Sequence, residues 1–278
     1  MSAVVLATAC AVVYGTADFF GGLATRRSRV FAVVVLSQLA GLAFVTMLLP
    51  VLPGGYAPAA LGWGMAAGLG GAAGLVLFYW ALANGVMSVV APVTATVSAA
   101  FPALFGLASG ERPQPATLAG VALALVAVAL VSREQSGTAS RTTMKPMLAA
   151  LASGAGFGGF FILLDQAPAD TGMWPLVGAR VASITMVVAL ALATRRPLRP
   201  GRGALPVIAA AGVLDMLANV LYLLAVQRGM LVVVAVLASL YPASTLVLAR
   251  YVLGERLRPV QVAGVVGALV AVGLIAIP

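Results

Sequence analysis

The chain has no histidine, one cysteine (Cys10), one lysine (Lys145) and only seven Asp or Glu among its 278 residues. Each scarcity removes a class of chemistry. A structural or catalytic zinc site draws on three or four His, Cys or acidic ligands, and such a set is hard to assemble here. One cysteine permits no internal disulfide and gives no indication of redox compartment. General acid–base or nucleophilic catalysis is left with carboxylates alone, and two of these, Glu111 and Glu255, read as helix caps. No Gly-rich loop ends in Lys-Ser/Thr, so no phosphate-binding loop and no ATP or other cofactor is expected. Charged residues make up 8% of the chain, against about 25% in an average soluble domain.

What the chain does have is apolar surface. Hydrophobic residues account for 62% of it, in ten blocks close to the roughly 20 helical residues that cross a bilayer. The blocks run over 3–24, 30–50, 58–82, 87–108 and 115–131, then 146–165, 174–193, 204–226, 230–253 and 259–277. The expectation is an all-α polytopic membrane protein with ten transmembrane helices. The net charge of +9 does not point to nucleic acid, because the basic residues lie in short loops between blocks rather than in one stripe. The first block lacks a basic leading segment and reads as a mature helix rather than a cleaved signal.

The middle of the chain returns near its end at a constant offset. Shifting by 144 carries Ala81 to Ala225, Gly85 to Gly229, and Gly110-Glu111-Arg112 to Gly254-Glu255-Arg256. Pro115 then meets Pro259, Gly120 meets Gly264, and residues 124–128 (Ala-Leu-Val-Ala-Val) meet residues 268–272. Self-similarity on this scale in an apolar chain predicts two homologous membrane units. They are residues 1–131 and 146–278, joined by a polar linker over 132–145 that carries Arg133, Glu134 and Arg141.

Five spans per unit is an odd number, so the second unit enters the membrane upside down. Loop charges support this independently. Loops after the odd-numbered blocks hold thirteen of the sixteen basic residues, the other side holds Arg112 and Arg228, and Arg180 lies inside a block. By the positive-inside rule the richer side is cytoplasmic and both termini lie outside.

Each unit has an aromatic-containing helix end, a small-residue turn, a Pro-broken helix, Gly-Glu, and a Gly-containing apolar helix. The first copy reads Phe78-Tyr79-Trp80-Ala81-Leu82, Gly85, Pro102, Gly110-Glu111, Gly120; the second reads Leu221-Tyr222-Leu223, Gly229, Pro242, Gly254-Glu255, Gly264. This pattern resembles the EamA-type carriers of the drug/metabolite transporter superfamily over essentially the whole chain, and is most similar to bacterial amino-acid and metabolite exporters. Two positions depart from it. Tyr14-Gly15 stands where the family often has Trp-Gly, and Gln38 stands where many relatives place an Arg, although the partner block keeps Arg180.

Ionisable groups at membrane depth cost roughly 2.5–3.5 kcal/mol on insertion scales, so they face a polar interior or a partner. Asp215, Asn219 and Tyr222 share one helical face at i, i+4, i+7, and Tyr14 and Asp18 share another. Two readings of these stripes stand side by side: a substrate pathway, or a static ion pair with Arg180 holding one carboxylate. Aromatic residues accompany them: Phe157, Phe160 and Phe161 in the sixth block, Tyr79 and Trp80 ending the third, and Tyr241 before Pro242. Such rings line cavities for amphipathic ligands, and also serve as packing or interfacial anchors. Thr94 and Ser98 in the fourth block and Ser239 in the ninth either bind substrate or bond their own backbone. The substrate-binding candidates are therefore Tyr14, Asp18, Tyr79, Trp80, Thr94, Ser98, Phe157, Phe160, Asp215, Asn219, Tyr222, Ser239 and Tyr241. Glycines 64, 68, 70 and 74 in the third block and 154, 158 and 159 in the sixth predict close helix contacts.

The resemblance implies a secondary transporter in a bacterial inner membrane. It would move small amphipathic metabolites, foremost hydrophobic or aromatic amino acids, outward by alternating access. Asp18 and Asp215 would face an ammonium group or carry a coupling proton, and the paired units would suffice as a monomer. A multidrug carrier of the same fold, a carboxylate-only membrane enzyme, and a channel or scaffold bundle are the competing readings.

Overall fold

The computed structural model describes residues 2–52, 54–85, 87–132, 143–254 and 256–277. Arg133, Glu134 and Arg141 of the polar linker, and Glu255 of the second Gly-Glu pair, lie outside the described residues. The first half of the chain contains α1 (Ser2–Thr25), α2 (Val30–Leu48), α3 (Pro58–Asn84), α4 (Met87–Ala108) and α5 (Pro115–Val131). Then come α6 (Met144–Asp165), α7 (Trp174–Ala193), α8 (Leu205–Val226), α9 (Leu231–Ala238), α10 (Tyr241–Leu253) and α11 (Pro259–Ala276), with a 3-10 turn at Ala169–Thr171. Among the described residues there is no strand. Proline occupies the first or second position of α3, α5, α7, α8, α10 and α11, where its missing N–H has no intrahelical acceptor to lose.

The ten expected blocks all appear, with ends within two residues of those read from the sequence. Nine described stretches are long and apolar enough to cross a membrane, counting Leu231–Leu253 as one, and α5 follows at 17 residues. The protein is an integral membrane bundle. Two details differ from expectation. The ninth block is split at Ser239–Leu240, because Pro242 can donate no hydrogen bond and its ring obstructs the preceding turn. The sixth helix begins at Met144 and so absorbs Lys145 from the linker; Pro146 is tolerated in its first turn.

Packing crosses between the halves. α1 lies against α8, α9 and α10; α6 lies against α3 and α4; α3 also contacts α7, and α2 contacts α8. α5 packs on α11, and α2 on α7. α9 is apolar on every side and all eight of its residues are buried, so it runs through the centre of the bundle.

α3 is clamped by its glycines. A Cβ at Gly64 or Gly68 would overlap the backbone carbonyls of Pro175 and Ala179 on α7. One at Gly74 would press at 3.0–3.2 Å on Ser153 and Phe157 of α6. Each face of α3 thus serves a different neighbour. Ser153 reinforces the second contact by donating to the Gly74 carbonyl at 2.8 Å.

One end of the bundle is laced together. Gly55 N–H donates to the Asp170 carbonyl at 2.8 Å, the Gln227 amide to the Ala169 carbonyl at 3.4 Å, and Tyr56 meets Trp174 edge-on at 5.0 Å. Glu111 belongs to the same end, and here the expectation needs correction. Its place just ahead of α5 predicts a cap for that helix. Instead its carboxylate accepts the N–H groups of Leu231 and Val232, at 2.6 and 2.9 Å, capping α9 of the other half. The chain turns sharply at Gly110, whose φ of 99° suits glycine. Gly106 leaves the room: a Cβ there would stand 2.6 Å from the Glu111 carboxylate.

Candidate functional site

Between the halves lies a cavity of about 340 Å³. Its two faces differ in chemistry, and each follows from helix spacing. α1 contributes Tyr14 and Asp18, four residues apart and hence on one face. α8 contributes Asp215 and Asn219 by the same spacing, with Met216 beside them. α7 adds Arg180 and Ser183, and α2 adds Gln38. The opposite face is apolar. Phe157, Phe160 and Phe161 of α6 face Leu75, Ala72 and the glycine-rich stretch of α3, with Leu176 and Ala179 of α7. Ser98 of α4 and Tyr241 at the start of α10 complete the lining.

Much of the polar face is internally bonded. The Arg180 guanidinium forms an ion pair with the Asp215 carboxylate, with side chains 14% and 38% exposed. Asn219 Nδ2 donates to the Asp215 carbonyl at 2.8 Å and to its carboxylate at 3.4 Å. Ser183 donates its hydroxyl to Gln38 Oε1 at 2.6 Å. Asp18 and the Asn219 carbonyl oxygen stand outside this bonding. Asp18 is exposed, with neither a hydrogen bond nor an ion pair among the described residues. Asn219 Oδ1 is buried and accepts no bond.

Of the residues singled out from sequence, Tyr14, Asp18, Ser98, Phe157, Phe160, Asp215, Asn219 and Tyr241 come together on this cavity. Five do not. Tyr222 is fully buried behind the lining, its ring 4.5 Å from that of Phe161 and its hydroxyl donating to the Phe161 carbonyl at 3.3 Å. At i+7 from Asp215 it has travelled two turns along α8 and passed the cavity's edge. Thr94 donates to the Ala150 carbonyl at 3.2 Å, tying α4 to α6. Ser239 bonds the Val236 carbonyl of its own helix at 2.7 Å. Tyr79 and Trp80 are each 45% exposed at the end of α3, outside the lining.

Gln38, Ser183, Met216 and the α3 residues Gly68 and Gly71 line the cavity without having been singled out as substrate contacts. Gln38 carried a signal, being an amide inside an apolar run. Ser183 and the glycines carried none, because their place depends on which neighbour packs against them. Asp215 holds an ion pair and faces the cavity as well.

Residues 144–277 match the EamA-like transporter family. None of the curated proteins compared matches the chain. A solved structure described as the crystal structure of a protein aligns with a TM-score of 0.81, over 99% of this chain and 96% of that one, at 16% identity. At that identity the likeness speaks for the fold. The second half of the chain is thus similar to a family of membrane transporters, and the apolar helices of both halves are built to span a bilayer.

Proposed function

We propose that this protein is a secondary transporter for small amphipathic metabolites bearing an ammonium group, hydrophobic and aromatic amino acids among them. The observation that carries the reading is the two-faced cavity: carboxylates and amides on α1, α2 and α8, with the guanidinium and hydroxyl of α7, oppose phenylalanines on α6. Such a site buries an apolar tail and orients a charged head. The substrate class draws further support from the resemblance to bacterial exporters, as do outward direction and a bacterial inner membrane as location.

The working mechanism is alternating access between two inverted repeats, residues 1–131 and 146–278. Two observations support it. The 144-residue offset carries residues 81–128 onto residues 225–272 without a gap. The helix pairings also survive exchange of the halves: α1 on α8 answers α6 on α3, and α1 on α9 and α10 answers α6 on α4. With the basic loops cytoplasmic, the end laced by Glu111, Gly55 and Gln227 faces outward. The closed lacing there suits a state whose cavity is reached from the cytoplasmic side. A single chain supplies both walls, so a monomer suffices, and Asp18 or Asp215 is the natural carrier for a coupling proton.

The test is counterflow in proteoliposomes. Saturable uptake of labelled phenylalanine or a phenylalkylamine, accelerated by unlabelled substrate on the far side, is expected. Flux that neither saturates nor responds to trans substrate marks a channel and defeats the proposal. A C-terminal reporter active in the cytoplasm defeats the orientation alone. The multidrug reading predicts that bulky aromatic cations compete as well as small amines.

A further inference from the structure

Charges around the cavity do not balance. Among the described residues Arg180 is the one basic residue on its wall and is engaged by Asp215, while Asp18 has no partner. The site therefore carries an excess carboxylate. Beside the ion pair, Asn219 commits its Nδ2 to the Asp215 carbonyl and carboxylate oxygens, both of which can only accept. That fixes the amide's orientation and leaves Oδ1 as an acceptor with nothing to accept, on a residue only 3% exposed. A carboxylate and a stranded carbonyl oxygen call for the same thing, a donor, and a positively charged donor serves both.

We propose that the site prefers amines lacking a carboxylate over amino acids: a primary or secondary ammonium on a short aromatic or branched aliphatic tail, held by Asp18 and Asn219 Oδ1. The inference rests on the transporter reading and narrows its substrate class. An amine cation neutralises the site. A zwitterionic amino acid leaves the excess negative charge in place and brings a third carboxylate to a wall on which Arg180 is already paired with Asp215. A carboxylate anion adds to the excess outright. At membrane depth such imbalances are weakly screened and weigh more than they do in water. The phenylalanines of α6 receive the tail, and a volume of about 340 Å³ is at the small end for ligand pockets, which favours a single ring.

The experiment is titration calorimetry on purified protein with four probes of one shape: phenethylamine, phenylalanine, phenylpropionate and phenethyl alcohol. Phenethylamine should bind about tenfold tighter than phenylalanine, and phenylpropionate most weakly. Asp18→Asn should reduce the amine to the affinity of the alcohol. Asp215→Asn releases the Arg180 guanidinium and should move the ranking toward phenylalanine. Phenylalanine binding as tightly as the amine in the unaltered protein overturns the proposal, as does an amine preference that survives in Asp18→Asn. If a variant does not fold, the series on the unaltered protein decides. Flux of the same probes in proteoliposomes separates the two readings. The expected ranking without flux removes the transporter reading and keeps the selectivity, whereas flux without the ranking does the opposite.

Discussion

Glu111 and Leu231 belong to opposite halves of the chain and meet at the first turn of α9, 2.6 Å from carboxylate oxygen to backbone nitrogen. The second oxygen takes the Val232 N–H at 2.9 Å, so one side chain satisfies two of the donors that a helix start leaves unpaired. An anion at that position also complements the helix dipole. Because α9 is buried over its whole length, water is a poor substitute for the carboxylate.

Glu111→Ala should therefore destabilise the protein by about 1–3 kcal/mol, and Glu111→Gln by less, since the amide keeps one acceptor. Thermal unfolding in detergent measures both. An unchanged melting temperature for Glu111→Ala would mean that the contact holds nothing together.

The Arg180–Asp215 pair is partly exposed to the cavity, so its disruption costs less than that of a fully buried pair. Arg180→Met or Asp215→Leu alone should each cost about 1–3 kcal/mol, because each strands a charge at membrane depth. The double substitution should recover much of that loss. A double-mutant cycle of unfolding free energies reads the coupling directly, and strict additivity of the two losses would refute it.

Gly68 and Gly62 lie on the same helix but meet different surroundings. A Cβ at Gly68 runs into the Ala179 carbonyl, whereas one at Gly62 meets nothing within 4 Å. Gly68→Ala should cost about 1–3 kcal/mol through overpacking and slow transport by pushing α3 off α7. Gly62→Ala should be neutral or stabilising by up to about 1 kcal/mol, since alanine favours helix. Equal melting temperatures for the two variants would remove the close-approach account.

Asp18→Asn should separate stability from function. The carboxylate has no partner to lose among the described residues, so the variant should melt no lower than the parent protein. Transport of ammonium-bearing probes should nonetheless fall by about tenfold or more, with the alcohol's binding unchanged. A large drop in melting temperature would expose a structural role for Asp18 instead.

The sequence by itself determined the ten apolar segments, their order, and the likeness of residues 81–128 to residues 225–272 at an offset of 144. These are local properties. A residue's hydropathy enters the membrane decision through its own segment, and a repeat is visible wherever both copies are read. Helical periodicity also sorted Asp18 with Tyr14, and Asp215 with Asn219, onto cavity faces, since i and i+4 share a side of any helix. The same rule overreached at Tyr222, where a straight extension of the stripe ran past the end of the cavity into packing against Phe161.

Only the tertiary structure decided which carboxylate is engaged and which has no partner among the described residues, that Glu111 caps a helix of the other half, and that Ser183 and Gln38 share one wall. Partnership of that kind depends on which helix lies opposite, and at what height. Between membrane helices that choice rests on close contacts such as Gly68 against Ala179, in which each residue means little until its neighbour is known.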